Sequence, residues 1–94
     1  MIAKDLSPCL LLRQIVVTSW ASRSISGPAV MKALDRFVCG DWGDITPATA
    51  AQNDQALRES GSLLAAYHAP DGEEFWIITE ADQSIATVLL PQEY

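Results

Sequence analysis

The stretch LLAAYHAPDGEEFWIITEADQSIATVLL, residues 63–90, decides the fold. It breaks into three short apolar runs separated by Asp71-Gly72 and by the acidic segment Glu80-Ala81-Asp82-Gln83-Ser84, and turn residues spaced this closely predict a meander of strands. A two-residue turn at Asp71-Gly72 sets Tyr67 opposite Trp76 and His68 opposite Phe75. One face then carries Leu63, Ala65, Tyr67, Trp76 and Ile78, and the other Leu64, Ala66, Phe75 and Ile77. A sheet that is apolar on both sides needs a cover on each, so leftover apolar surface points to a partner or a homodimer. Pro91, which cannot donate to a continuing ladder, closes the last strand, Ile85 to Leu90.

Upstream, the branched run Ile15-Val16-Val17-Thr18 suits a pleated surface and predicts a first strand over Leu10 to Thr18. Ser26-Gly27-Pro28 marks a helix start, because the serine accepts an early N–H and the proline's missing donor costs nothing in the first turn. Val30, Leu34, Phe37 and Val38 recur at helical spacing with Lys32, Asp35 and Arg36 opposite, and Gly40 ends the helix. Thr46-Pro47 repeats the start signal for a second helix running to Ser60, in which alanines leave Leu57 as the one large apolar residue before Gly61 stops it. The expected fold is α+β in the order β-α-α-β-β-β, with two helices packed on a four-stranded, mostly antiparallel sheet.

The 94 residues, 49% of them hydrophobic, suffice for one core and not for two, so a single domain over residues 1–94 is expected, with residues 1–8 loose. Cys9 and Cys39 are too few for a disulfide scaffold and lack the close pairing of a zinc or redox motif, which predicts two reduced thiols. The run Cys9-Leu10-Leu11-Leu12 is too short for a signal-peptide core or a membrane span, so a cytoplasmic protein without membrane contact is expected.

Charge divides the chain. Residues 1–40 hold five basic and two acidic side chains, a net of +3, whereas residues 41–94 hold Arg58 against ten acids, a net of −9. An acidic field serves solubility, repels phosphate backbones and speeds encounter with basic protein surfaces. Direct nucleic-acid binding is therefore disfavoured, and a protein partner with a basic surface is expected.

No arrangement of residues identifies a reaction. Asp41 and Asp44 bracket Trp42, and Glu80 and Asp82 share a turn, but neither pair has the ligand spacing of a calcium loop, and turn carboxylates commonly bond their own backbone. His68 is the sole histidine and builds neither a zinc site nor a triad by itself. Cys39, beside the apolar face of the first helix, is expected to be buried and inert. No catalytic residue, metal or cofactor is assigned. Trp76 reads as core. The expected partner-binding residues are Trp20 and Arg23 in the basic, serine-rich segment before the first helix, and the acids Asp71, Glu73, Glu74, Glu80 and Asp82. Trp42, in its loop, reads first as a plug where helix and sheet meet and second as a further anchor for a partner.

Gly40-Asp41-Trp42-Gly43-Asp44, Asn53 with Ala56-Leu57, Trp76-Ile77-Ile78-Thr79-Glu80-Ala81-Asp82, Thr87-Val88-Leu89-Leu90-Pro91 and Glu93-Tyr94 together resemble a family of short bacterial "plasmid-related" proteins associated with mobile elements. The resemblance runs from about Leu11 to Tyr94 and brings no known activity with it. Relatives labelled as methyltransferase or restriction subunits give no guide, since this chain lacks the length and the glycine-rich cofactor loop of such an enzyme. The leading expectation is a non-catalytic binding protein carried by mobile DNA, an inhibitor of a host defence complex being one such case. A small toxin-like ribonuclease using His68 and its few arginines is the alternative, on fold analogy alone. A DNA-associated regulator using Lys32 and Arg36 is a second alternative, with a thin basic footprint.

Overall fold

The structure, a computed structural model, describes Leu10 and residues 12–94; Cys9, with its expected thiol, and residues 1–8, expected to be loose, lie outside the described residues. Strands β1 (Gln14–Val17), β2 (Leu63–His68), β3 (Glu74–Thr79) and β4 (Ile85–Leu89) form one sheet in the order β1-β4-β3-β2. The β2–β3 and β3–β4 pairs are antiparallel, but β1 runs parallel to β4, so the sheet is mixed. The predicted α+β class and strand-helix order hold.

Among the described residues three helices accompany the sheet rather than two: α1 (Ser19–Ser24), α2 (Gly27–Val38) and α3 (Pro47–Glu59). Helix α1 occupies the basic, serine-rich segment expected to precede the first helix. It is one and a half turns long with Ala21 as its single buried residue, too short to show a period, and it is nucleated by Thr18, whose hydroxyl accepts the Ala21 N–H at 3.1 Å. The other helices start where their caps predict. Ser26 accepts from Ala29 and Thr46 from Thr49, each followed by a proline in the first turn.

The hairpin register differs from expectation by one residue. Tyr67 pairs with Phe75 and His68 with Glu74, because the connection is a longer loop closed by Ala69 N–H to Glu73 O at 2.9 Å and Gly72 N–H to Ala69 O at 2.8 Å. A slip of one residue turns every β3 side chain over. The inner face therefore carries Leu63, Ala65, Tyr67, Phe75, Ile77, Ala86 and Val88, all buried under Val30, Ala33, Leu34 and Phe37 of α2. Gathering the fully buried Tyr67 and Phe75 rings on one side, 5.9 Å apart, concentrates the core there.

The β2 edge is closed by side-chain and loop groups that stand in for a fifth strand. Asn53, buried on α3, donates Nδ2 to the Leu64 carbonyl at 2.8 Å and accepts the Leu64 N–H at 3.2 Å. One step further on, Ala66 donates its N–H to the Trp42 carbonyl at 3.1 Å and accepts from Asp44 N–H at 2.8 Å. The loop reaches this position because Gly43 has φ +75° and no side chain; a Cβ there would overlap the Ala66 carbonyl oxygen. Thus α3 and the Gly40-to-Asp44 loop together seal an edge that would otherwise recruit another strand.

Candidate functional site

The alternation along the strands that buries the inner face directs a second set of side chains to the outer one. Leu64, Trp76, Ile78 and Thr87 lie half-buried there, with Val16 and Ile85 exposed at its margin. Helix α2 packs on the opposite side, α3 flanks the β2 edge and α1 touches β4, so among the described residues no helix spans this face. Its partial cover is the C-terminus. A short 3₁₀ turn, Pro91–Glu93, is held by Glu93 Oε1, which accepts from Leu90 N–H at 2.8 Å and from the Thr18 hydroxyl at 2.9 Å. It delivers Tyr94 edge-on to Trp76 with ring centroids 5.3 Å apart. Tyr94 itself remains exposed.

A cavity of about 390 Å³ opens between α3 and this face, lined by Gln52, Asn53, Leu64, Ile78, Glu80 and Tyr94 among others. Glu74 and Glu80 stand at and just beyond the two ends of β3, bracketing Trp76 and Ile78. Glu74 Oε2 accepts from Trp76 Nε1 at 2.9 Å, which satisfies the indole donor while leaving its ring on the surface. The result is an apolar, aromatic centre with acidic ends.

The expected partner-binding residues are spread over this and other parts of the molecule. Glu74 and Glu80 belong to the open face. Asp71 and Glu73 sit at the exposed hairpin tip, where Asp71 accepts the Glu73 N–H at 3.0 Å, and Asp82 caps the other turn by accepting from the Ser84 N–H and hydroxyl. Trp20 is exposed on α1 with the Arg23 guanidinium 5.4 Å from its ring centroid, beside Leu90, Gln92 and Glu93. Trp42 is not available as an anchor. It is buried edge-on against Phe37 at 5.5 Å with Nε1 donating to Asp54 at 3.1 Å, the plug that its loop position first suggested.

Trp76, Ile78, Leu64 and Tyr94 are surface groups that sequence reasoning did not assign. Trp76, read as core, turns outward: the hairpin loop at its true length sets the alternation Phe75-in, Trp76-out.

A second surface, a groove with charged side chains on a mostly apolar lining, lies between α2 and the hairpin. A groove of about 350 Å³ is lined by Ser26, Pro28, Lys32, Arg36, Tyr67 and His68 among others. Arg36 grips Asp41 with two bonds, 2.8 and 3.1 Å, and lies 5.0 Å from the Tyr67 ring centroid. The hydrogen bonds from Arg36 hold the Asp41 carboxyl below the usual carboxylate range, and the same bonds raise Arg36. Burial pushes the Tyr67 phenol well above its ordinary value, and its hydroxyl donates to the Asp41 carbonyl at 2.7 Å. His68 is exposed and places Nδ1 2.8 Å from Asp44 Oδ2. Asp41 and Asp44 are thus each engaged by a different basic side chain. Cys39, expected to be buried, follows the last residue of α2 with its side chain exposed.

The His68–Asp44 pair has the geometry in which a carboxylate fixes an imidazole tautomer. Among the described residues Arg36 is committed to Asp41, which leaves Lys32 as the free cation lining the groove. Lys32 and Arg36 both face this groove, so they do not form a basic stripe on an open helix surface. Among the described residues no helix is long and apolar enough to cross a membrane. No protein-family model, curated protein or solved structure matches the chain.

Proposed function

We propose that this chain is a non-catalytic binding protein that works by contact of its open sheet face with a protein whose complementary patch is apolar and fringed by Lys and Arg. The observation that carries this reading is the half-buried row Leu64, Trp76 and Ile78 with Tyr94 beside it, spanned by no helix among the described residues and bracketed by Glu74 and Glu80. A cluster of large apolar and aromatic side chains rimmed by charge is the composition of a contact hot spot. The acidic ends, in a chain of net charge −6, speed encounter with a basic partner and disfavour nucleic acid. The resemblance to plasmid-related proteins would set such a contact in the biology of mobile DNA, where an inhibitor of a host defence complex acts in this manner.

The test is quantitative capture from bacterial lysate followed by mass spectrometry. The wild type, Tyr94→Ala, the double reversal Glu74→Lys with Glu80→Lys, and His68→Ala are compared, each checked for folding by circular dichroism. One protein retained by the wild type and by His68→Ala, and lost by both face variants, supports the reading. Equal retention by the wild type and all three variants refutes it.

The His68–Asp44 pair at 2.8 Å favours one second reading, a ribonuclease-like site in the α2–hairpin groove. That reading requires cleavage of RNA by the purified chain, abolished by His68→Ala.

A further inference from the structure

The two edges of the sheet are treated differently. The β2 edge is sealed by Asn53 and by the Trp42-to-Asp44 backbone, whereas no described group pairs with the outer side of β1. All four β1 residues are exposed, and three are branched apolar side chains: Ile15 at 46%, Val16 at 38% and Val17 at 37%. Met31 on α2, 58% exposed, lines one groove with Ile15 and another with Val17, so it stands over the middle of the strand. The strand contains no Pro, Lys or other charge that would blunt it.

The backbone phase at this edge is set by the inner ladder. Gln14 N–H donates to Ser84 O and Thr18 N–H to Val88 O, which commits the even-numbered residues to β4. Ile15 and Val17 therefore direct their N–H and C=O groups outward, one on each side of Val16. From this geometry we infer that β1 is the interface for a second copy of this chain, paired antiparallel about a two-fold axis through Val16 to make one continuous sheet.

In that register Ile15 exchanges both of its backbone bonds with Val17 of the second copy, and Val17 with Ile15 of the second copy. No outward group between them is left over. Val16 faces its own image at the close, non-hydrogen-bonded position, with Cα atoms about 4.5 Å apart. The side chains across the join are Ile against Val and Val against Val, the branched pairs that stabilise a ladder, and Gln14 faces Thr18. On the inner side the two Met31 side chains approach each other over the join.

The occupant is a second copy rather than an unrelated strand because the edge is its own complement: the bonding phase is symmetric about Val16 and no charge on Gln14–Val17 opposes itself. The apolar area offered by these four side chains falls short of the ~1,200–2,000 Å² of a standard stable interface, so the dimer is reversible and concentration-dependent. This inference uses the β1 edge alone and does not depend on the proposed partner face, which lies open in the dimer as in the monomer.

The test introduces one cysteine at a time into the full chain carrying Cys9→Ser and Cys39→Ser, because Cys39 is exposed and would cross-link by itself. Val16→Cys brings two thiols within disulfide reach across the axis, whereas Gln14→Cys, on the same face and equally exposed, sits about 13 Å from its image by the rise of four strand residues. Under mild oxidation the expected result is a predominant covalent dimer for Val16→Cys and at least tenfold less for Gln14→Cys.

Sedimentation of the unlinked chain should show a monomer–dimer equilibrium that Ile15→Pro and Met31→Asp each shift to monomer. Ile15→Pro removes an outward donor and no bond to β4, and Met31→Asp leaves the strand untouched, so loss of dimer by both, with circular dichroism unchanged, is not a folding failure. Equal cross-linking at positions 14 and 16, or a native chain that stays monomeric at several hundred micromolar, overturns the inference. So does concentration-independent protection of the Ile15 and Val17 amides from exchange, which would assign the edge to another segment of the same chain.

Discussion

Replacing Asn53 with alanine is the most direct test of how the β2 edge is held. Asn53 is 2% exposed and its amide bonds both backbone groups of Leu64, at 2.8 and 3.2 Å. Asn53→Ala removes both partners at once and leaves an N–H and a C=O facing a small void between α3 and the strand. Each unsatisfied buried backbone group costs about 1–3 kcal/mol, and because the Leu64 groups are only part-buried we take the lower half of that range for each, roughly 2–4 kcal/mol together. The gain in helix propensity from alanine offsets only about 0.5 kcal/mol of this. For a domain of this size each 1 kcal/mol moves the melting midpoint by about 4–8 °C, so a fall of roughly 10–20 °C is expected. Urea unfolding followed by tryptophan fluorescence measures the loss directly, and hydrogen exchange at the Leu64 amide locates it. Gln52→Ala, one residue earlier on the exposed side of α3, is the control and should change stability by less than about 0.5 kcal/mol. An Asn53→Ala protein as stable as that control, with unchanged protection of Leu64, would refute the claim that this side chain substitutes for a neighbouring strand.

Gly43→Ala forces a Cβ into the Ala66 carbonyl at a left-handed backbone angle, so the loop must detach from β2; a loss of about 2–3 kcal/mol in urea unfolding is expected, more than for Gly27→Ala, where nothing stands in the way. In a Tyr94→Phe background the remaining phenol, Tyr67, should resist ionisation beyond the ordinary tyrosine range when absorbance is followed with pH. Because its folded value is raised, the stability tied to the neutral phenol is complete below about pH 10 and is lost as pH rises above it, so ionisation and alkaline unfolding should coincide. Asp41→Asn breaks the two-bond grip of Arg36. Both side chains are about half exposed, so screening limits the loss to roughly 0.2–1 kcal/mol in thermal unfolding at neutral pH. Since the Asp41 value is depressed on folding, the difference from wild type should be present above the ordinary value of 3.8 and vanish as pH falls through the folded one.

Much of the fold is legible in the chain itself. Thr46-Pro47 and Ser26-Gly27-Pro28 announce their helices because capping is local chemistry between residues three apart, and the caps form as expected. The C-terminal strands are evident from their apolar runs and turn residues. Helix α1 is hidden because a six-residue helix with one buried alanine leaves no period to detect. The hairpin register is hidden because Ala69 to Glu73 can close in more than one way, and the choice is settled by packing Phe75 with Tyr67 beneath α2. The candidate partner face follows from that choice, which is why Trp76 reads as core in the sequence and lies on the outer surface in the fold.

The sequence by itself determines the class, the order of the four strands with α2 and α3 between the first and second, the starts of those two helices, and the acidic second half, since each depends on neighbours a few residues apart or on composition. Tertiary structure alone decides the parallel seating of β1 beside β4, the sealing of β2 by Asn53 and the Trp42 loop, and which aromatic rings face outward. Those features join residues tens of positions apart, and their energies come from groups that meet only after the chain has closed on itself.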